Sequence, residues 1–215
     1  MHIPRHFVED DFGTLVDFIS AHPLATLIAQ TEQGTEAYYI PLFWYDDDTK
    51  YGCLYGHFGR QNQIYANARP DSSWLIIFQD SGHYISPNWY PSKAETHKEV
   101  PTWNYQSVHI HSHIQLVEAH DKIVWILTET TANHEKPLPL PWSLTDAPKD
   151  YIDALCKGII GFKLTIDNVE AQFKLNQNKS AENIRGVIEG LTQLHTPSAR
   201  RMADKLAHLH NDKLF

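Results

Sequence analysis

Four short segments of this 215-residue chain gather residues able to bind or react. In the first, Gly56-His57-Phe58-Gly59-Arg60-Gln61-Asn62, a histidine, an arginine and an asparagine meet at a strand end and the turn after it. The planar guanidinium of Arg60 offers paired donors suited to a phosphate, and amides freed at a turn or helix start add more. The same content also makes an ordinary solvated turn. The second and third segments, Tyr84-Ile85-Ser86-Pro87-Asn88-Trp89-Tyr90-Pro91 and Val100-Pro101-Thr102-Trp103-Asn104-Tyr105, read as two proline-containing loops rich in large aromatics. Such rings can sandwich a flat conjugated ligand whose edge Ser86, Thr102 or Asn104 would meet, or the tryptophans can plug barrel ends as core. The fourth, Phe173-Lys174-Leu175-Asn176-Gln177-Asn178-Lys179, ends a strand with a cation and two amides ahead of a helix. Lys174 can add positive charge at a phosphate, while Gln177 and Asn178 can read polar edges or cap the helix.

Other chemistries find less support. His109, His111 and His113 alternate along one strand face, roughly 6–7 Å apart, and no Glu or Cys completes a recognised ligand spacing, so no metal site is assigned. No Ser-His-Asp or Cys-His elbow and no Gly-rich phosphate loop occurs, so no catalytic residue is assigned either. The formal net charge of -8 argues against a surface that neutralises many nucleic-acid phosphates. Two cysteines far apart, Cys53 and Cys156, suggest a reducing compartment, and no apolar run long enough for a signal peptide or membrane span appears.

The elements that must position these segments follow from periodicity. Phe12, Leu15, Val16 and Ile19 recur at helical spacing over 10–22, and Pro23 closes that helix. Segments 24–30, 36–45 and 51–58 are rich in β-branched and aromatic residues and read as an antiparallel meander. A short link over 62–68, possible as a helix, leads to a buried strand at 74–79. A long strand is expected over 107–118, helices over 121–134 and 146–157, and between them a proline-rich extended link. A strand pair at 158–167 and 169–175 then precedes two helices, 181–194 and 198–211, split by Pro197. The fold class is therefore β-rich α+β with helices at both ends, read as one domain with a helical C-terminal extension at about 179–215.

Taken together, the GHxxRxN, YISPxWY, VPTWNY and KLxQN segments, in this order and with HPLATL, IPLF and IxGF, resemble the PaiB family. The resemblance implies a flavin-reductase-like FMN-binding split β-barrel, a cytoplasmic homodimer, and negative transcriptional regulation. It carries FMN binding onto His57, Arg60, Asn62, Ser86, Trp89, Tyr90, Thr102, Trp103, Asn104, Tyr105, Lys174, Gln177 and Asn178. Gly59, Gln63, Asn176 and Tyr39 depart from the family pattern. The helices at 181–194 and 198–211 mix Arg185, Arg200, Arg201 and Lys205 with Glu182, Glu189 and Asp204, a poor recognition helix, so direct nucleic-acid binding is doubtful and regulation is expected to be indirect. The same barrel type also serves FMN-dependent oxidoreductases of the flavin reductase and pyridoxine-phosphate oxidase-like kind, and the many histidines keep a haem-binding protein as a further alternative.

Overall fold

Helix α1 (Phe12–Ala21) forms where the apolar spacing places it. In the computed structural model, which describes residues 1–69 and 72–214, the Asp11 carboxylate caps it by accepting from the Thr14 amide at 2.8 Å. Leu15, Phe18 and Ile19 form its buried face. Strands β1 (Leu24–Thr31) and β2 (Gly34–Pro41) make a hairpin, and β3 (Phe43–Tyr45) and β4 (Cys53–Gly59) make another. Next come the short helix α2 (Ile64–Asn67), strand β5 (Trp74–Gln79) and strand β6 (His83–Ile85). Helix α3 (Ser92–Thr96) leads to β7 (Thr102–Val117), after which α4 (His120–Glu135) and α5 (Lys149–Cys156) flank the proline-rich link. Strand β8 (Ile159–Lys174) and helices α6 (Ala181–Gln193), α7 (Pro197–Leu209) and α8 (Asn211–Leu214) follow. Phe215, the end of the expected extension, lies outside the described residues.

The antiparallel strands run in the order β2-β1-β5-β7-β8-β4-β3, with β6 paired to β7. This corrects the expected meander: the first two hairpins occupy opposite ends of the path, because β1 pairs with β5 on its other side, Thr26 opposite Ile77. The break between β2 and β3 falls at buried Leu42, directly after Pro41, which has no amide hydrogen to donate. Two further expectations are corrected. Thr102–Tyr105 belongs to the sixteen-residue strand β7 rather than to a loop, and the expected strand pair near the C-terminus is the single sixteen-residue strand β8. Asp167 and Asn168, which read as a turn, are exposed positions within it.

Chain contacts divide the structure into two compact units. The larger comprises Asp11–Phe78 and Val108–Glu170. Its core is built from Leu27, Leu54, Phe58, Trp74, Ile76, Ile110, Phe162 and Leu164, each 1% exposed or less, with the Phe58 and Phe162 rings 4.4 Å apart. Burial of each such side chain contributes roughly 1.5–3 kcal/mol. The smaller comprises Met1–Asp10, Gln79–Ser107 and Ala171–Phe215. Its helices bury Ile184, Val187 and Leu191 on α6, and Ala199, Met202 and Leu206 on α7, at helical spacing. Ser180 and Thr196 cap the two helices through their side chains, and Pro197 opens the second. Among the described residues no helix is long and apolar enough to cross a membrane.

Candidate functional site

The first segment lies in the larger unit. His57 sits on β4 opposite Gly161 of β8, half-buried, with its Nδ1 buried and unpartnered, and burial holds its imidazole below the ordinary pKa. Arg60 follows the strand end, where its amide donates to the Gly158 carbonyl at 2.9 Å and its own carbonyl accepts from the Tyr65 hydroxyl at 2.9 Å. Its guanidinium pairs with Glu118 at 3.5 Å in an exposed position. Asn62 makes a local turn just before α2, its side-chain oxygen accepting from the Ile64 amide at 3.0 Å. Within this unit, the three residues therefore hold a buried unpartnered ring nitrogen, a solvent-screened ion pair and a turn ahead of α2.

The other segments lie in the smaller unit. Ser86 caps a 3-10 turn, Pro87–Trp89, by accepting from the Asn88 amide at 3.2 Å. Trp89 lies against the glycine face of α6: a Cβ added at Gly190 would stand 2.4 Å from its ring. Tyr90 is buried, its hydroxyl near the Asn176 amide without reaching hydrogen-bond geometry, and burial with the nearby Glu99 charge pushes its pKa up to about 12. Trp103 stays 54% exposed and meets Tyr84 edge-on at 6.2 Å. Beside it Asn104 is fully buried with neither side-chain polar atom partnered, and the Tyr105 hydroxyl donates to Gln172 at 3.0 Å. Lys174 donates to the Thr102 hydroxyl at 2.6 Å. Gln177 folds back on its own turn, its side-chain Oε1 accepting from the Leu175 amide at 2.7 Å, while Asn178 is exposed.

The environment of Lys174 separates it from comparable lysines. Half-buried Lys163, Lys179 and Lys205 face Asp47, Glu99 and Asp80 at 2.6, 2.5 and 2.9 Å. Lys174, equally half-buried, has among the described residues a hydroxyl and, 6.0 Å away, the Phe7 ring, but no carboxylate. A partly desolvated ammonium without a counter-charge favours an incoming anion, and the Thr102 hydroxyl, which accepts from the lysine, keeps its proton free to donate.

Residues outside the four segments support this geometry. Glu99 accepts from Lys179 and Ser92, which also receives the Asn183 amide at 2.9 Å, tying the start of α6 to α3. Their separations in sequence, up to 91 residues, leave no local signal. The histidine row makes carboxylate contacts instead of a shared site: His113 with Asp167 at 2.6 Å and His111 with Glu170 at 3.9 Å. Among the described residues no group of three or more His, Cys, Asp or Glu is placed to hold a metal ion.

Comparison with known proteins adds relatives to this geometry. Residues 1–168 match a family described as "Putative FMN-binding domain". Protease synthase and sporulation protein PAI 2 of Bacillus subtilis (strain 168) is 31% identical over 215 residues, a match spanning 100% of this chain and 98% of that protein. Among solved structures, the FAD and heme binding protein from Mycobacterium smegmatis aligns with a TM-score of 0.57 at 13% identity over 78% of this chain and 73% of its own. The flavocytochrome Anf3 from Azotobacter vinelandii aligns with 0.56 at 13% identity, over 80% of this chain and 72% of its own. At that identity the structural likenesses speak for the fold alone, which is the split barrel expected from the four segments.

Proposed function

The chain belongs to the FMN-binding domain family, and from that premise we propose that it holds FMN with the phosphate at Lys174 and Thr102 and influences transcription without itself gripping DNA. The observation that carries the phosphate assignment is the half-buried Lys174 ammonium, hydrogen-bonded at 2.6 Å to a hydroxyl and lacking any carboxylate among the described residues. The donor set fits the group: a cation and a free hydroxyl proton for a phosphate of about two negative charges, an exposed indole at Trp103 for a flat ring, and buried unpartnered amide atoms on Asn104. Bound flavin supplies reversible one- and two-electron redox chemistry. Lys174 and Thr102 neutralise and orient the phosphate, while Trp103 shields a ring face from water. Arg60, His57 and Asn62 stay candidates in the larger unit, with Arg60 the weaker phosphate ligand because Glu118 already answers its charge. Ser86, Trp89, Tyr90, Gln177 and Asn178 shape the surroundings through caps and packing.

Two features support indirect regulation. The chain carries a net charge of -8, and two of the four basic residues on α6 and α7 are engaged within the protein: Arg185 donates to the Leu214 carbonyl at 2.9 Å, and Lys205 faces Asp80 and Gln106. The name of the Bacillus relative links it to protease synthesis and sporulation. Leu138, Leu140, Trp142, Tyr151 and Leu155, exposed in the larger unit, support reading the protein as a homodimer. We place it in the cytoplasm, where the free thiols of Cys53 and Cys156 stay reduced.

The test is titration of FMN and riboflavin, followed by flavin fluorescence, into wild type, Lys174→Ala and Arg60→Ala. A charge-assisted hydrogen bond contributes roughly 1.5–3 kcal/mol, so Lys174→Ala should weaken FMN by about tenfold to a hundredfold and leave riboflavin unchanged. Equal effects on both ligands would remove Lys174 as the phosphate residue. A Soret band in the purified protein would point to haem instead, and NAD(P)H-driven flavin reduction to an oxidoreductase.

A further inference from the structure

Strand β8 ends at Lys174, and the turn beyond it is held from outside the strand ladder. Asn176 takes the left-handed conformation, φ 63°, that reverses the chain, and asparagine tolerates it better than most residues. The Leu175 carbonyl accepts from His210 Nε2 at 2.7 Å, and the Gln177 carbonyl accepts from Lys213 Nζ at 3.1 Å. His210 is the C-cap of α7 and is 3% exposed, with its amide bonded to the Leu206 carbonyl. The bond to a carbonyl requires the proton on Nε2, while burial favours the neutral ring. Lys213 belongs to α8, whose Leu214 carbonyl is in turn clamped by Arg185 of α6. Beside the bond that the Gln177 side chain makes to the Leu175 amide, two anchors on carbonyls after Lys174 thus come from the C-terminal helices, beyond the 1–168 segment that matches the family.

We infer that His210, assisted by Lys213, is a positioning residue that sets the Lys174 ammonium at the phosphate, so that the helices after β8 tune selectivity for a phosphorylated flavin over its dephosphorylated form. The inference rests on the reading of Lys174 given above. A lysine reaches its ligand on a flexible four-carbon stem, so its aim depends on where the backbone under it is fixed. Leu175 is 2% exposed, which leaves its carbonyl no water to replace the imidazole if the histidine is lost. The turn then relaxes and the ammonium loses its place, while a ligand without a phosphate notices nothing.

The experiment compares FMN and riboflavin dissociation constants for His210→Leu, His210→Gln and Lys213→Ala beside Lys174→Ala, with far-ultraviolet circular dichroism on each. The glutamine amide can donate to the Leu175 carbonyl as Nε2 does; leucine cannot. His210→Leu is expected to weaken FMN about tenfold with riboflavin unchanged within about twofold, and His210→Gln to bind FMN as wild type does. Wild-type FMN binding by His210→Leu, a parallel loss of both ligands, or failure of glutamine to restore the difference would overturn the inference. Should His210→Leu not fold, Lys213→Ala decides, since it alters an exposed side chain: a loss of about threefold for FMN alone supports the inference, and no change sinks it. Phosphate-selective loss in Lys174→Ala without any in the His210 and Lys213 variants leaves the lysine standing and removes only its positioning, whereas indifference of Lys174→Ala removes the reading beneath both.

Discussion

Replacing Gly186 with alanine sets two effects of opposite sign against each other. In a helix interior, alanine is favoured over glycine by about 1 kcal/mol, so propensity alone predicts a more stable protein. A Cβ at Gly186, however, would lie 2.1 Å from the Trp89 carbonyl oxygen and 2.8 Å from Pro91 Cδ. The first contact is more than about 1 Å inside an ordinary carbon–oxygen approach, and the obstacle is backbone, so no rotamer change relieves it. Overpacking of a filled site costs typically 1–3 kcal/mol, and a clash with main chain sits at or above the top of that range. After subtracting the propensity gain, the net loss should be about 2–3 kcal/mol, which for a chain of this length is a fall in Tm of roughly 4–12 °C. Urea unfolding followed by circular dichroism measures it as a lower midpoint at unchanged slope. If Gly186→Ala is as stable as wild type or more so, propensity has won and the packing of the Trp89 turn on α6 is not as described.

Three further outcomes follow from the same geometry. Lys163 and Thr49 hold the Asp47 carboxyl down to about 2, so this group's stabilisation is complete above the unfolded carboxylate pKa and is lost as pH falls through about 2. Asp47→Asn should therefore cost about 1–3 kcal/mol near neutrality, and its difference from wild type should shrink on acidification below about pH 4; a pH-independent difference in denaturation midpoint contradicts the ion pair. Cys53 is fully buried, its thiol pushed up to about 12 chiefly by burial, and Cys156 is raised likewise, so a thiol reagent at pH 8 should label neither until urea unfolds the chain. Rapid labelling of the native protein at either position would count against that burial. Light scattering should return about twice the 24.8 kDa chain mass, and a monomer at micromolar concentration refutes the dimer.

Helices α1, α4, α6 and α7 were legible because their buried faces follow the helical period, and capping side chains mark the starts of α1, α6 and α7. Strand β7 was half legible for a specific reason: its buried positions continue through Asn104, Gln106, Val108, Ile110 and Ser112, and polar residues in the first inward slots hid the alternation. Strand β8 read as two strands because Asp167 and Asn168 look like a turn, although a strand tolerates exposed polar residues on its wet face. The order of strands could not be read, since the pairing of β1 with β5 joins segments that carry no mark of one another. At the candidate site the residue types were legible and their partners were not. Lys174 stood out as a cation at a strand end, but Thr102 is 72 residues away, and His210 announced nothing beyond its identity. Trp89 read as a stacking ring; the only trace of its seat on α6 was a pair of glycines four residues apart.

The smaller unit draws on the beginning, the middle and the end of the chain, and an isolated bridge joins Val8 to Gln172. During synthesis, at about 5–20 residues per second, its first two pieces emerge before the third, which brings α6, α7 and Lys174, has left the ribosome. Exposed Val100 and Trp103, and the apolar stretch at Phe7 and Val8, are for those seconds the surfaces most open to chaperones and to neighbouring nascent chains. The residues proposed to grip the phosphate are thus assembled last, and a chain interrupted before Ala171 carries Thr102 and Trp103 without Lys174.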